Sequence, residues 1–140
     1  MHYERVRTNA MLWKSFIAAF VSLAASFAVA ANLPVIMPED AAAKDNQEVI
    51  VEFTVNSARL LDAKHVSFLN SESDIHSEKN FTAFITPKGM RAFKAERKIE
   101  NPGAEYIGKK IRVEGKIKLH NGRPEIEVVR PDQVQLVEES

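Results

Sequence analysis

The sequence predicts an all-β fold with one inserted helix, a five-stranded Greek-key barrel of order β-β-β-α-β-β. Three observations predict it. Two alternating runs flank Asn121-Gly122, a dipeptide that favours a two-residue hairpin because a type I′ turn needs positive φ at both central residues. Three shorter segments upstream are rich in β-branched and aromatic residues, as strands are. The pattern changes clearly to the period of a helix after Pro87.

The hairpin sets the register of the last two predicted strands, 109–120 and 123–130. With a two-residue loop, one face of the pair carries opposite charges and the other face carries aliphatic side chains, as a half-buried antiparallel pair should. The predicted cross-strand pairs are His120–Arg123, Lys118–Glu125, Ile117–Ile126 and Lys116–Glu127.

Composition limits the classes of protein that the chain can be. Of its 140 residues, 45% are hydrophobic and 27% are charged, which suits an ordinary globular domain. It has no cysteine, which excludes disulfides, thiolate metal sites and a cysteine nucleophile. Residues 1–30 hold three of the 19 basic and one of the 19 acidic residues, so the remainder has a net charge of −2. Any nucleic-acid site must therefore be a local patch.

Residues 1–30 have the features of a secretory signal peptide. Basic residues precede an apolar run, Phe16–Val29, and Ala28-Val29-Ala30 has the small-x-small pattern of a cleavage site. The alternative is an uncleaved membrane anchor, but the run is shorter than the ~20 residues of a spanning helix. We therefore expect export to the periplasm or the extracellular space, without stable membrane insertion after cleavage. A leader with a short helix would follow at 31–47, and the folded domain at 48–138.

The remaining elements follow from local patterns. Pro38–Lys44 reads as one or two helical turns, with proline at the first helical position. The predicted strands are Glu48–Leu60, Val66–Asn70 and Phe81–Thr86, with an exposed polar loop at Ser71–Lys79.

A helix is predicted from Pro87 to Lys98, and Met90 and Phe93 are its candidates for closing one end of the barrel. One further helical turn is expected at 104–107, closed by Gly108, and a short edge strand at 134–137.

In this order of elements the chain resembles the OB-fold nucleic-acid-binding-like group, over about residues 39–136. The resemblance rests on the short helix before the first strand, on Val-Ile-Val-Glu-Phe-Thr-Val at 49–55 and on Gly-Lys-Lys-Ile-Arg-Val-Glu-Gly-Lys-Ile at 108–117. Segments 68–72, 80–85 and 122–126 are similar to those of uncharacterised exported bacterial OB-fold proteins. The resemblance implies a ligand surface on strands two and three; it does not fix the ligand, because OB-folds bind many classes of molecule.

Aromatic residues on that surface are the first candidate site. Phe68, Phe81 and Phe84 lie on strands two and three, and a base stacked on such a ring gains roughly 1–3 kcal/mol. Phe81 and Phe84 are three residues apart and should point to opposite faces of the strand. The alternative is that all three are core residues.

Basic residues are the second candidate site. Lys88, Arg91 and Lys94 follow helical spacing, and Arg112 lies on strand four among lysines, so together they could contact phosphates. The alternative is a solvated helix face and cross-strand ion pairs. Arg123 at the hairpin tip is a further candidate for an anion contact, because the turn explains Asn121 and Gly122 but not the arginine.

The polar loop is a candidate site for a metal ion. The acidic residues and histidine of the loop, Glu72, Asp74, His76 and Glu78, could bind a divalent cation, or form a solvated loop. No phosphate-binding loop, zinc motif or nucleophile elbow is present, so we expect neither catalysis nor a cofactor nor a metal.

The sequence thus predicts an exported, non-catalytic OB-fold binding module for single-stranded nucleic acid or another polyanion. The alternative is an envelope module that binds a secreted protein or a glycan.

Overall fold

The computed structural model describes residues 32–139. The predicted signal peptide at 1–30 lies outside the described residues. Between residues 32 and 139, no helix combines the length and the apolar character that crossing a membrane would require.

The described residues form short strands and helices, and most of the predicted elements are present. The strands are β1 Val35–Ile36, β2 Glu48–Thr54, β3 Ser57–Leu61, β4 Val66–Asn70, β5 Thr82–Ile85, β6 Lys110–Lys116, β7 Lys118–His120, β8 Arg123–Val128 and β9 Val134–Leu136. The α-helices are α1 Pro87–Arg97 and α2 Pro102–Tyr106, and 3-10 helices span Pro38–Lys44, Asp62–Lys64 and Pro131–Gln133.

The strands form two sheets that are not closed into a barrel, which corrects the predicted closure. One sheet has the order β1-β2-β6-β9 and the other the order β3-β4-β5-β8-β7. All pairs are antiparallel except β1–β2 and β5–β8. The full five-stranded Greek-key barrel stays a prediction.

Two bends account for the division into sheets. The predicted strand 48–60 is wrong as a single strand, because Val55 still bonds Gly108 and Lys109 whereas the Asn56 N–H donates to the Asn70 carbonyl of the other sheet. The second bend lies at Ile117, whose N–H donates to the Gln47 carbonyl although the next residue already pairs across the hairpin. Each bent segment therefore contributes one half to each sheet.

The Asn-Gly hairpin is confirmed at its tip and ends sooner than predicted. Asn121 and Gly122 have φ of 53° and 76°, and the pairs His120–Arg123 and Lys118–Glu125 are formed. The predicted pair Lys116–Glu127 is wrong: Lys116 lies opposite Glu48 of β2, because the chain bends at Ile117. Glu127 instead lies 3.7 Å from Lys118 in a diagonal ion pair.

Helix α1 is present as predicted and covers the core, but the two sheets form no closed barrel whose end it could fill. The Met90 and Phe93 side chains are buried, and the Thr86 side chain caps the first turn by accepting from the Gly89 N–H at 3.1 Å. Gly89 is a poor helix former near the start of this helix, and the packing of the helix explains why it stands there. A Cβ at position 89 would collide with the main-chain carbonyl of Val128, so only glycine lets the helix approach the sheet this closely.

A buried glutamine joins the two sheets where β6 and β8 separate. Gln133 Nε2 donates to the carbonyls of Glu114 and Glu127 at 2.9 and 3.0 Å. Its Oε1 accepts from the N–H groups of Val129 and Arg130 at 2.8 and 3.1 Å. One carboxamide therefore satisfies four main-chain groups that strand pairing leaves open.

We expect Gln133→Leu to lower the free energy of unfolding by about 2–5 kcal/mol, because each buried main-chain group that loses its partner costs roughly 1–3 kcal/mol. Urea denaturation followed by circular dichroism measures this. The matched control is Gln135→Leu on the exposed side of β9, where we expect a change within about 0.5 kcal/mol. Equal losses for the two variants would show that the bridge is dispensable.

Candidate ligand-binding groove

The outer face of the five-stranded sheet carries a groove with a volume of about 600 Å³. Strands β3, β4, β5 and β8 form its floor, and the 71–80 loop and the hairpin tip form one wall. Two rows of residues cross the outer face of this sheet in register, and part of each row lines the groove. The first row is Ser57, Asn70, Thr82, Glu125 and Lys118, and the second row is Arg59, Phe68, Phe84 and Glu127.

Two phenylalanines form an aromatic platform in the second row. Phe68 and Phe84 face each other across β4 and β5 with ring centroids 5.2 Å apart and an interplanar angle of 30°. Both are partly exposed, and Phe68 lines the groove. Phe81 is fully buried and packs edge-on against Phe53, so it belongs to the core. Phe81 and Phe84 therefore point to opposite faces of the sheet, as their spacing predicts.

Two arginines border the groove. Arg59 lies opposite Phe68 and is exposed, and no carboxylate within residues 32–139 makes an ion pair with it. Arg123 donates from its guanidinium to the carbonyls of Ile75 and His76, which fastens the 71–79 loop to the hairpin tip. These two carbonyls give Arg123 a structural role that the turn residues alone do not explain, and Arg59 is a groove residue that was not among the predicted site residues. The alternation of the 57–61 segment was the available signal for Arg59.

Buried amides order the polar end of the groove. The main-chain N–H of Glu72 donates to Asn80 Oδ1 at 3.1 Å. This contact fixes the orientation of the Asn80 side-chain amide, whose Nδ2 is the donor group. Asn80 Nδ2 then donates to Asn70 Oδ1 and to Thr82 Oγ1, and the Thr82 hydroxyl donates to Asn70 Oδ1 at 2.8 Å. Asn70 Oδ1 therefore accepts from both of these donors, whereas Asn70 Nδ2 has no hydrogen-bond acceptor among the described residues.

Glu125 places a carboxylate beside this network. It lies directly opposite Thr82, is half-buried, and makes no hydrogen bond or ion pair with any described residue. Burial raises the pKa of the Glu125 carboxyl above its ordinary value, and the Glu127 charge adds to this, while His120 and Lys118 act in the opposite direction. An unpaired carboxylate in a groove is available to a ligand.

The other predicted site residues lie away from the groove. Lys88, Arg91 and Lys94 are exposed on α1 and none lines the groove, and Lys94 lies 3.5 Å from Glu100. Arg112 is on β6 of the other sheet, 3.5 Å from Glu52. The groove thus brings Phe68 and Arg123 together, with Phe84 beside them, and leaves the remaining basic candidates elsewhere.

The acidic loop does not gather its candidate metal ligands. The Asp74 carboxylate accepts from the His76 N–H at 2.9 Å, which is a local turn. Within residues 32–139, no three His, Asp or Glu side chains lie close enough together to hold a metal ion.

Comparison with solved structures finds matches of low sequence identity. A crystal structure assigned to an aspartyl-tRNA synthetase of Leishmania major Friedlin matches 79% of this chain and 22% of its own, with 12% identity and a TM-score of 0.51. The fold is OB-fold-like. Asparaginyl-tRNA synthetase of Pyrococcus horikoshii matches 75% of this chain and 23% of its own, with 15% identity and a TM-score of 0.48.

The OBody AM1L10, in a structure bound to hen egg-white lysozyme, matches 77% of this chain and 97% of its own, with 12% identity and a TM-score of 0.49. The chain spans less than a quarter of the synthetase chains that it matches. No protein-family model matches the chain, and no curated protein does.

We expect Glu125→Gln to raise the free energy of unfolding at pH 7. A raised pKa means that the folded state disfavours the charged carboxylate, so the wild type is most stable below the ordinary carboxyl pKa and loses that stability as the pH rises through the folded-state pKa. The difference between variant and wild type should therefore vanish below about pH 4. Urea denaturation at a series of pH values measures it, and a constant difference at all pH values would contradict it.

Proposed function

We propose that the protein is a non-catalytic binding module for single-stranded nucleic acid, with the groove on the five-stranded sheet as its site. The observation that carries the proposal is the stacked, partly exposed pair Phe68–Phe84, of which Phe68 lines the groove. Arg59 lies in the same row and has no ion-pair partner among the described residues. Such a row offers a base a ring to stack on and offers its phosphate a charge within one strand spacing.

The OB-fold-like architecture supports this choice of site. Ligands of this fold commonly lie on the face of its second and third strands, which correspond here to β4 and β5. Stacking suits a single strand rather than a duplex, because only unpaired bases expose both faces to a protein ring. The net charge beyond residue 30 is −2, so the domain as a whole does not attract phosphate and a nucleic-acid site needs local cations. Arg59 and Arg123 supply such cations at the groove.

A second candidate is a binding module for a glycan or a secreted protein of the cell envelope. The observation that favours it is the Glu125 carboxylate, which lines the groove and has no ion-pair partner in the part of the chain that the structure describes. This carboxylate repels phosphate and can accept hydrogen bonds from hydroxyl groups. The absence of oligonucleotide binding at low salt would leave this candidate as the function of the groove.

We also propose that the protein is exported. The support is the sequence of residues 1–30, with basic residues, an apolar run and Ala28-Val29-Ala30. Fractionation of expressing cells, with N-terminal sequencing of the product, tests this proposal separately from binding. Recovery of the uncut chain in the cytoplasm would reject it.

Phe68→Ala should weaken the binding of a fluorescent single-stranded oligonucleotide by roughly 5- to 150-fold, since one base–aromatic stack contributes about 1–3 kcal/mol. Fluorescence anisotropy of the full-length chain at low salt measures the affinity. Leu119→Ala is the control, because Leu119 is an exposed apolar residue of the same sheet that does not line the groove. Similar losses in the two variants would argue against stacking on the platform.

Arg59→Ala should lower the slope of log K against log salt concentration by about 0.7, the value for one phosphate contact on a single strand. The same titration on Arg91→Ala, an exposed arginine of α1, should leave the slope unchanged if phosphates follow the groove. A lower slope for Arg91→Ala with an unchanged slope for Arg59→Ala would show that the phosphates contact the helix, whose basic residues are also predicted candidates.

A further inference from the structure

Three residues of the first row form a site with a donor at one end and an acceptor at the other. Asn70, Thr82 and Glu125 are consecutive partners across β4, β5 and β8, so their side chains share the outer face of the sheet. Adjacent strands are about 4.8 Å apart, which places Asn70 and Glu125 roughly 10 Å apart at the backbone, with the shorter Thr82 between them. One edge of a base that lies above Thr82 can therefore face both side chains.

The free group of Asn70 is an N–H donor, and this follows from a main-chain contact. The Glu72 N–H fixes the orientation of Asn80, and Asn80 with Thr82 then occupies Asn70 Oδ1. No acceptor among the described residues takes the Asn70 Nδ2 hydrogens, and no fully buried side-chain nitrogen in that part of the chain lacks a partner. Asn70 Nδ2 therefore keeps some accessible surface although the residue is only 5% exposed, and we place that surface in the groove because Asn70 lines it.

The partner group at the other end is an acceptor with two oxygens. The Glu125 carboxylate lines the groove and makes no hydrogen bond or ion pair to residues 32–139, whereas Glu127, two residues along the strand, is paired with Lys118. In a site for a phosphate chain a free carboxylate would lower the affinity, unless it accepts hydrogen bonds from a base. Phe68 lies two residues from Asn70 on the same face, so a base stacked on its ring can direct an edge toward this row.

We propose that the groove selects guanine, with Asn70 Nδ2 donating to O6 and the Glu125 carboxylate accepting from N1–H and the 2-amino group. This inference rests on the proposed function and names the base that the same site prefers. Among the four bases, guanine alone has two adjacent N–H donors on its Watson–Crick edge, and these match the two oxygens of one carboxylate. Adenine and cytosine offer one amino group to Glu125, and thymine offers a single ring N–H between two carbonyls.

The first test varies the ligand and leaves the protein intact. An oligothymidine that carries one central guanine should bind the full-length chain roughly 5- to 100-fold more tightly than the same strand with adenine or cytosine, the range for one good bidentate contact. Inosine lacks the 2-amino group, so replacing guanine by inosine should weaken binding by about tenfold. The analogue 7-deazaguanine keeps the whole Watson–Crick edge and should bind as guanine does.

The second test varies the protein with a matched pair. Glu125→Gln and Glu127→Gln each remove one negative charge from β8, so a general gain in attraction for phosphate is expected in both. Only Glu125→Gln should lose the preference for guanine. Glu125→Gln is also expected to be the more stable protein at pH 7, so a lost preference could not be explained by unfolding.

The outcomes separate this inference from the proposed function. Equal binding of all four central bases, or a guanine preference that survives in Glu125→Gln, overturns the selection of guanine and leaves the binding module standing. A loss of preference on replacing guanine by 7-deazaguanine would also overturn it, because the contacts would then lie on the other edge of the base. Failure of every oligonucleotide to bind at low salt rejects the proposed function itself.

Discussion

The carboxamide of Gln133 holds the two sheets together at the point where their hydrogen-bond ladders stop. Main-chain groups of β6 and β8 face one another there without being neighbours in a sheet, and a buried group without a partner is expensive. A glutamine side chain supplies both two donors and an acceptor, which neither an apolar residue nor a carboxylate can do. The fold can therefore leave its sheets unclosed without leaving buried polar groups open.

The groove depends on contacts that fix its wall before any ligand is present. Arg123 fastens the 71–79 loop to the hairpin, and Asn80 joins that loop to the side chains of β4 and β5. A loop whose sequence suggests only a solvated segment is in this way held at its middle by Arg123 and at its base by Asn80. Order of this kind lowers the entropy that a binding site loses when its ligand arrives.

Charge is distributed so that the groove differs from the rest of the surface. Several basic residues outside it have acidic partners: Lys110 and Arg112 lie near Glu52, and Lys94 lies near Glu100. Such exposed pairs contribute little to stability, but they reduce the local positive potential. Arg59 has no such partner among the described residues, so its charge is available to a ligand although the domain as a whole is not basic.

The sequence by itself determined the elements whose cause is local. The hairpin tip follows from the positive φ that Asn121 and Gly122 tolerate, and α1 follows from its spacing, with Met90 and Phe93 on the buried side. Tertiary structure alone decided where the long segments bend, because the chain changes direction at Val55 and at Ile117 to reach partners distant in sequence.

Tertiary structure also decided which residues the candidate site brings together. Asn70 and Glu125 are 55 residues apart along the chain, and only the pairing of β4, β5 and β8 puts them in one row. Local patterns record which face a side chain occupies, but the neighbours on that face are set by strand order, which is a property of the whole fold.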